Sequence, residues 1–269
     1  MKAFLLAAGV GTRLRPLTDE IPKCLLPIGG KPLLQIWLEL LGRHGVSEVL
    51  VNTHWHAGKV EAFLSSDYAN YAEENGLTQR RKGAKGFEDC TDDEGGKERE
   101  WPEVRVFFEE ELLGSAGTLW ENREWVGDGE PFFILYGDNL TNVDLGKMWE
   151  FHGSHGLPFT LGVFKAERPE ACGIAEVDGD GVVTGFVEKP DEPKSDLAAA
   201  GVYVADRRIF DFYPDDAEVK KPLDLGFDVI PRLVGRMKAY VIEEFLMDIG
   251  TADSYEKAQK LFLAADKRR

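Results

Sequence analysis

The chain has 269 residues and a formal net charge of −16, which favours one large α/β domain and opposes non-specific attraction to nucleic acid or to an anionic membrane surface. Its three cysteines are widely spaced, so we expect neither a disulfide framework nor a zinc ribbon. No run approaches the ~20 apolar residues of a membrane span, and we therefore expect a cytoplasmic protein without nucleic-acid or membrane partners.

Short apolar runs alternate with helical patterns in the first part of the chain. The runs AFLLA and EVLVN predict strands. The stretch PLLQIWLELLGRHG between them predicts a helix, with Pro32 at its start and Gly45 just past its end. Such alternation is typical of a largely parallel sheet with helices on both faces. We expect one α/β domain over residues 1–269, with a mostly parallel mixed sheet sandwiched by helices.

The regular pattern stops in the charged, glycine-containing segment 67–103, which we expect to be a surface insertion or flap. After it, VRVFFEE predicts a strand, a helix is expected from Ser115, and FFILYGD predicts a further strand. The sequence GIAEVDGDGVVTGFVEK predicts a β-hairpin around its DGDG turn. From Thr251 onward the pattern predicts an amphipathic final helix that this threonine caps.

The first predicted strand runs into LAAGVGTRLRPLT, where two glycines precede two arginines. A dinucleotide fingerprint would need glycine in place of Leu14, and a P-loop would need G-K-[ST], so neither standard phosphate motif is present. Gly9 and Gly11 allow close backbone approach, and Arg13 and Lys23 add positive charge, a combination that suits a polyphosphate. The same residues are also compatible with a turn that carries solvated arginines, and spacing alone does not decide between the two.

The run LAAGVGTRLRPLT, followed by PKCLLP and KPL, closely resembles the N-terminal signature of the sugar-1-phosphate nucleotidyltransferases, also called nucleotide-sugar pyrophosphorylases. Three later segments are similar to further landmarks of that family and occur in the family's order: YGDN from Tyr136, FVEKP from Phe186 and MDIGT from Met247. The resemblance implies a Rossmann-like nucleotidyltransferase domain with a β-hairpin region that binds sugar. We expect no left-handed β-helix of the kind that long family members add.

The resemblance also implies roles for individual residues. Asp138 and Asp248 would hold Mg²⁺, which prefers such hard oxygen ligands. Arg13 would stabilise the leaving pyrophosphate and Lys23 the charge near the α-phosphate, whereas Arg15 is equally compatible with an exposed loop position. The other expected contacts are, for the nucleotide, Leu6, Ala8, Gly9, Gly11, Thr12, Gly114, Ser115 and Gly117, and, for the sugar phosphate, Gly137, Gly173, Glu188, Lys189 and Gly201.

Each landmark has a plain structural alternative. The two aspartates could be turn residues, and the Glu188–Lys189 pair could be an exposed charge pair on a strand edge. A non-catalytic regulatory paralogue that only binds nucleotide-sugar is the alternative of another class, although the G-T-R run and both aspartates are retained. A glycosyltransferase would be expected to carry D-x-D, and the run DNL from Asp138 lacks the second aspartate.

The implied reaction transfers a nucleotidyl group from a nucleoside triphosphate to a sugar 1-phosphate and releases pyrophosphate. The segment ELLGSAGTL is similar to the L-G-T-A-G form common in mannose-1-phosphate guanylyltransferases, which favours GTP and mannose 1-phosphate. Glucose-1-phosphate thymidylyl- or uridylyltransferases, and relatives specific for heptose or muramate 1-phosphate, are the alternatives. Ala199 stands where many relatives have asparagine, so one sugar contact is either missing or supplied elsewhere. Short members often pair, which leaves a homodimer open.

Two histidines and two tryptophans invite functional interpretations that we do not favour. His54 and His56 lie in NTHWH without a third ligand nearby in the sequence, so we expect polar or substrate-adjacent side chains rather than a metal site. Trp120 and Trp125 follow Ser115 on the predicted helix, and we expect them to pack in the core rather than to stack on a base.

Overall fold

The computed structural model describes residues 1–67, 102–215 and 222–266. Most of the predicted charged insertion, residues 68–101, therefore lies outside the described residues. The strands within the described ranges are β1 (Lys2–Leu6), β2 (Pro27–Ile28), β3 (Lys31–Pro32), β4 (Glu48–Thr53), β5 (Glu103–Phe108), β6 (Phe132–Tyr136), β7 (Asn139–Thr141), β8 (Phe159–Lys165), β9 (Gly173–Val177), β10 (Val183–Glu188), β11 (Leu197–Ala205), β12 (Met237–Val241) and β13 (Leu246–Asp248). The α-helices are α1 (Leu17–Glu20), α2 (Leu33–Arg43), α3 (Ala57–Ala62), α4 (Gly114–Glu121), α5 (Leu145–His155) and α6 (Ala252–Asp266).

The central strands are continuous apolar runs, because the side chains on both faces of the sheet are buried. The β1 residues Ala3, Phe4 and Leu5 are fully buried, as expected for a strand packed between two layers of helices. On α2 the apolar positions at helical spacing are all buried, and Gly45 follows the helix with φ of 73°. This left-handed conformation suits glycine just past a helix end, so the predicted limits of this helix are confirmed.

The main sheet is mixed, and its strand order runs β10-β9-β11-β6-β1-β4-β5, with β8 between β11 and β12. Strand β1 pairs in parallel with β4 and β6, whereas β11 pairs antiparallel with β6. The chain passes from β5 at one edge back to β6 on the other side of β1, which places a topological switch point between β1 and β6. Ligands of open α/β sheets bind at such points, beyond the carboxyl ends of the strands.

Two local predictions are confirmed by side-chain hydrogen bonds. In the hairpin β9–β10, the Asp178 carboxylate accepts from the backbone N–H groups of Asp180 and Val182, both at 2.9 Å. At the start of α6, the Thr251 hydroxyl accepts from the N–H of Ser254 at 3.2 Å. These contacts satisfy backbone donors that a turn and a helix start would otherwise leave unpaired.

The two tryptophans pack against aromatic side chains, as predicted. Trp120 stacks on Tyr213 with ring centroids 5.1 Å apart, and Trp125 meets Phe4 edge to face at 5.0 Å. Both partners are buried. Within the described ranges, no helix combines the length and the apolar character that crossing a bilayer requires.

Candidate active site

A small second sheet brings the two predicted metal-binding aspartates together. Strand β7 begins immediately after Asp138 and pairs antiparallel with β13, so that Asn139 lies opposite Asp248. The N–H of Ile249 donates to the Asp138 carbonyl at 2.9 Å. The order of the motifs along the chain could not show this contact, because the ladder joins residues that are distant in sequence.

The ammonium group of Lys23 lies between the two carboxylates. Its Nζ is 2.6 Å from Asp138 Oδ2 and 3.6 Å from Asp248 Oδ1, and the Lys23 side chain is only 9% exposed. Lysine is rarely buried to this extent without a partner of opposite charge. The Asp248 side chain is 57% exposed. Its partial desolvation and, second, the neighbouring Asp138 carboxylate raise the pKa of Asp248, while Lys23 and Arg13 act in the opposite direction.

Arg13 lies beside the same cluster. A Cβ atom on Gly250 would lie 2.9 Å from Arg13 Nη2 and 2.7 Å from Asp248 Oδ2, so both side chains pack against the bare glycine. Arg15, in contrast, forms an exposed ion pair with Asp19 at 3.1 Å. The structure thus places Arg13 at the cluster and favours the exposed loop position for Arg15.

A cavity of about 330 Å³ opens beside these charges at the carboxyl ends of β1, β4 and β6. The predicted site residues that line it are Leu6, Ala8, Gly9, Lys23, Gly114, Ser115, Gly137 and Asp138. Gly9 faces open space, since no described residue other than its chain neighbours has an atom within 4 Å of a Cβ built there. A wider groove of about 460 Å³ lies between α5 and β12, and its lining contains none of the predicted site residues.

One wall of the cavity is the start of α4, which packs directly on the backbone of Leu223. Gly114 has φ of 80°, and a Cβ atom there would collide with the Leu223 carbonyl. The N–H groups of Ala116 and Gly117 donate to that carbonyl at 3.0 and 3.3 Å. The amide of Gly117, which we predicted as a nucleotide contact, is therefore already bonded within the chain.

A buried polar network missed by the sequence analysis joins the two walls of the cavity. The N–H of Ala7 donates to Asn52 Oδ1 at 2.6 Å, and Asn52 Nδ2 donates to Glu109 Oε1 at 2.7 Å. Glu109 Oε2 accepts from the N–H of Leu113 at 3.0 Å, just before α4. Asn52 and Thr118 are also buried with Glu109. The signal that could have found these residues is their position, because Asn52 and Glu109 lie at the carboxyl ends of neighbouring parallel strands.

Among the predicted sugar-phosphate residues, Glu188 ends strand β10 with its carboxylate between two glycines. A Cβ atom on Gly226 would lie 2.5 Å from Glu188 Oε2, and one on Gly173 would lie closer still. Burial is the main cause that raises the pKa of Glu188; Lys189 lowers it, and Asp224 raises it further. Lys189 Nζ is 3.9 Å from Glu188 Oε1, so the predicted pair does lie together.

Gly201 and Asn139 meet where β11 is irregular. Gly201 has φ of 66°, and a Cβ atom there would lie 2.6 Å from Asn139 Nδ2. That amide donates to the Ala200 carbonyl at 2.9 Å. The predicted sugar-phosphate residue Gly201 thus sits next to β7, close to the aspartate pair, and Asn139 brings an amide to the region where Ala199 replaces the usual asparagine.

His54 and His56 each contact a backbone carbonyl. His54 Nδ1 lies 2.9 Å from the Glu109 carbonyl oxygen, and His56 Nε2 lies 2.9 Å from that of Asp19. In the part of the chain that the structure describes, no group of three or more histidine, cysteine or acidic side chains is arranged to hold a metal ion. A cation site here would rest on Asp138 and Asp248 together with ligand oxygens.

Comparison with known proteins identifies the family. The model of the family described as nucleotidyl transferase matches residues 2–265. Mannose-1-phosphate guanylyltransferase 1 of Arabidopsis thaliana is 30% identical over 274 residues, which are 100% of this chain and 66% of that protein. The mannose-1-phosphate guanylyltransferase catalytic subunit beta of Drosophila melanogaster is 28% identical over 271 residues, or 100% and 64% of the two chains. This chain thus spans slightly less than two-thirds of the length of these relatives.

Solved structures show the same fold. A putative glucose-1-phosphate thymidylyltransferase from Bacillus anthracis, in complex with a sucrose, has a TM-score of 0.77 at 24% identity and matches over 97% of this chain and 95% of its own. UDP-glucose pyrophosphorylase from Acinetobacter baumanii has a TM-score of 0.76 at 21% identity, over 97% and 92% of the two chains. The predicted α/β fold with a mixed sheet and the predicted family are therefore confirmed: the chain belongs to the nucleotidyl transferase family.

Proposed function

We propose that the protein transfers a nucleotidyl group from a nucleoside triphosphate to a sugar 1-phosphate and releases pyrophosphate. The observation that supports this most directly is the contact of Lys23 with both Asp138 and Asp248, at 2.6 and 3.6 Å, beside a cavity that glycines line. Cations and carboxylates set around open backbone suit phosphate groups and the divalent cation that accompanies them.

The reaction brings two anions together, so the protein supplies mainly placement and charge. An oxygen of the sugar phosphate forms a bond to the α-phosphorus as the bond from that phosphorus to the pyrophosphate oxygen breaks. The attacking phosphate is already ionised, and no covalent enzyme intermediate is needed. In this proposal Arg13 binds the triphosphate and the leaving pyrophosphate, Lys23 balances charge at the α-phosphate, Lys189 holds the sugar phosphate, and Glu188 accepts hydrogen bonds from sugar hydroxyls.

The donor set fits Mg²⁺. This ion prefers oxygen ligands and is usually bound through one or two carboxylates plus substrate phosphates, and Asp138 and Asp248 offer such a pair on neighbouring strands. When bound, Mg²⁺ would neutralise phosphate charge. The position of Lys23 indicates that the space beside the two carboxylates favours positive charge, because the Lys23 ammonium is held there with little exposure to solvent.

GTP and mannose 1-phosphate are the substrates that we propose. Relatives at 28% and 30% identity are named as mannose-1-phosphate guanylyltransferases, and the segment GSAG at the start of α4 is similar to the form common in such enzymes. Thymidylyl or uridylyl transfer to glucose 1-phosphate is the alternative, since proteins of those names share the fold.

The experiment that tests the proposal crosses the four common ribonucleoside triphosphates and dTTP with several sugar 1-phosphates and follows pyrophosphate release in the presence of Mg²⁺. We expect release above background with the GTP and mannose 1-phosphate pair. Pyrophosphate release only with another pair would support the proposed reaction and show that the proposed substrates are wrong. If nucleotide binds but no pair gives pyrophosphate, the proposed activity is wrong and a binding-only paralogue is favoured.

A further inference from the structure

Phe227 is a large apolar side chain that the protein leaves in solvent. The residue is 57% exposed, whereas Leu225 and Val229 in the same turn are fully buried. Single exposed apolar residues are common on protein surfaces, so exposure alone carries no conclusion. The surroundings of Phe227 distinguish it from the other exposed apolar residues.

The ring lies beside the residues that we assign to the sugar phosphate. Lys189 Nζ is 5.7 Å from the centroid of the Phe227 ring. The preceding residue, Gly226, is one of the two glycines whose missing side chains make room for the Glu188 carboxylate. Lys189 itself has φ of 49°, a left-handed conformation that is strained for a non-glycine residue and often marks a functional position.

The turn that carries the ring is held by backbone hydrogen bonds to acidic side chains. Asp224 Oδ1 accepts from the N–H groups of Gly226 and Phe227 at 2.8 and 3.2 Å. The N–H of Asp224 in turn donates to Asp228 Oδ2 at 2.7 Å. With Leu225 and Val229 buried on either side, the turn presents the ring at a fixed place, which lowers the entropy cost of using it to bind a ligand.

We infer that Phe227 forms the apolar wall of the sugar site and stacks on the C–H face of the pyranose ring of the sugar 1-phosphate. This inference rests on the proposed function and adds a residue to it. An aromatic ring carries negative charge density on its faces, which attracts partly positive groups such as the Lys189 ammonium or polarised C–H bonds. Glu188 would then take up hydroxyl groups at the edge of the sugar, and Phe227 would cover the flat face that offers no hydrogen bonds.

The test compares steady-state kinetics of the wild type with Phe227→Ala and Phe227→Trp, varying each substrate in turn. We expect Phe227→Ala to raise KM for the sugar 1-phosphate about five- to tenfold, the effect of losing roughly 1 kcal/mol of stacking. The values of kcat and of KM for the nucleoside triphosphate should stay within about twofold. Phe227→Trp should restore the sugar KM, because tryptophan keeps an aromatic face.

A matched control removes a similarly exposed apolar side chain elsewhere. Val241 on strand β12 is 51% exposed, and Val241→Ala should leave both KM values unchanged. A sugar KM that stays within about twofold of the wild type in Phe227→Ala would overturn the inference, as would an equal rise in both KM values. A wild type that releases no pyrophosphate with any pair would instead reject the proposed function, and the inference with it.

Discussion

Asp248 lies directly opposite Asn139 in the antiparallel ladder of β7 and β13, and this register sets its carboxylate beside that of Asp138. Lys23, from the segment that follows the glycine-arginine loop, reaches both acids. Three segments that are far apart in the sequence thus build one cluster of charge. Substitutions in the cluster, in the loop beside it and in the core should therefore have separable effects on activity and on stability.

The glycines at positions 9 and 11 should be needed for different reasons. Gly9 lines the cavity, and among the described residues other than its chain neighbours no atom lies within 4 Å of the place a Cβ would take. Gly11, in contrast, has φ of 68°, and a Cβ there would lie 2.9 Å from Thr18 Cγ2. We expect Gly9→Ala to keep the wild-type melting temperature and to raise KM for the nucleoside triphosphate about tenfold or more, because its methyl group would occupy ligand space.

Gly11→Ala is the matched comparison and should destabilise the fold by about 1 kcal/mol or more, since alanine is strained in the left-handed region. Thermal unfolding and substrate titration of both variants check the pair. A Gly9→Ala protein with unchanged KM would show that the triphosphate does not occupy the space beside this glycine.

Gly250 should be required for the geometry of the charged cluster. A methyl group there would push on Asp248 Oδ2 at 2.7 Å and Arg13 Nη2 at 2.9 Å. We expect Gly250→Ala to lower kcat about tenfold or more, because misplaced charges stabilise the reacting phosphates less well. Gly58→Ala is the control, since in the part of the chain that the structure describes no neighbouring element comes within 4 Å of a Cβ at Gly58. Equal kcat values in the two variants would contradict the packing role.

His152 should make the fold sensitive to acid. It is buried, its Nδ1 lies 2.8 Å from Thr160 Oγ1, and burial, followed by the nearby His155, lowers its pKa to about 4. The unfolded chain binds this proton more tightly than the folded one. The free energy of unfolding therefore contains the full contribution of neutral His152 above pH 6.5. This contribution, about 2 to 3 kcal/mol at 1.36 kcal/mol per pKa unit, is lost as the pH falls toward 4.

Urea unfolding of the wild type and of His152→Gln at pH 7.5 and 4.5 measures this effect. The wild type should lose about 2 kcal/mol more than the variant, whose amide does not titrate. The subtraction cancels the contributions of groups that do not interact with His152, whereas His155, Asp206 and Arg208 do interact with it. An equal loss in both proteins would show that His152 is not the group responsible.

The sequence predicted the parts of the fold that depend on local pattern. The limits of α2, the hairpin around Asp178 and the cap at Thr251 follow from spacing and turn chemistry, and the structure contains all three. The family resemblance implied that Asp138 and Asp248 share one site, and the ladder of β7 and β13 places them together. Most of segment 67–103 lies outside the described residues, and its role as an insertion stays a prediction.

The parts that the sequence did not predict depend on side chains from distant elements. Asn52 and Glu109 meet only because β4 and β5 are neighbours in the sheet. Phe227 is next to Lys189 only through the packing of its turn on β10. Neither motif nor periodicity predicts these two contacts, since Asn52, Glu109 and Phe227 are unremarkable within their own segments.

The most direct test of a shared cation site at Asp138 and Asp248 is the Mg²⁺ dependence of pyrophosphate release by the wild type and by Asp248→Ala. Asp253→Asn, which alters an exposed acid in α6, is the control. We predict that Asp248→Ala lowers the rate at saturating Mg²⁺ about 100-fold or more, with a melting temperature close to that of the wild type. An Asp248→Ala protein that keeps most of the Mg²⁺-dependent rate would contradict a cation site shared by these two carboxylates.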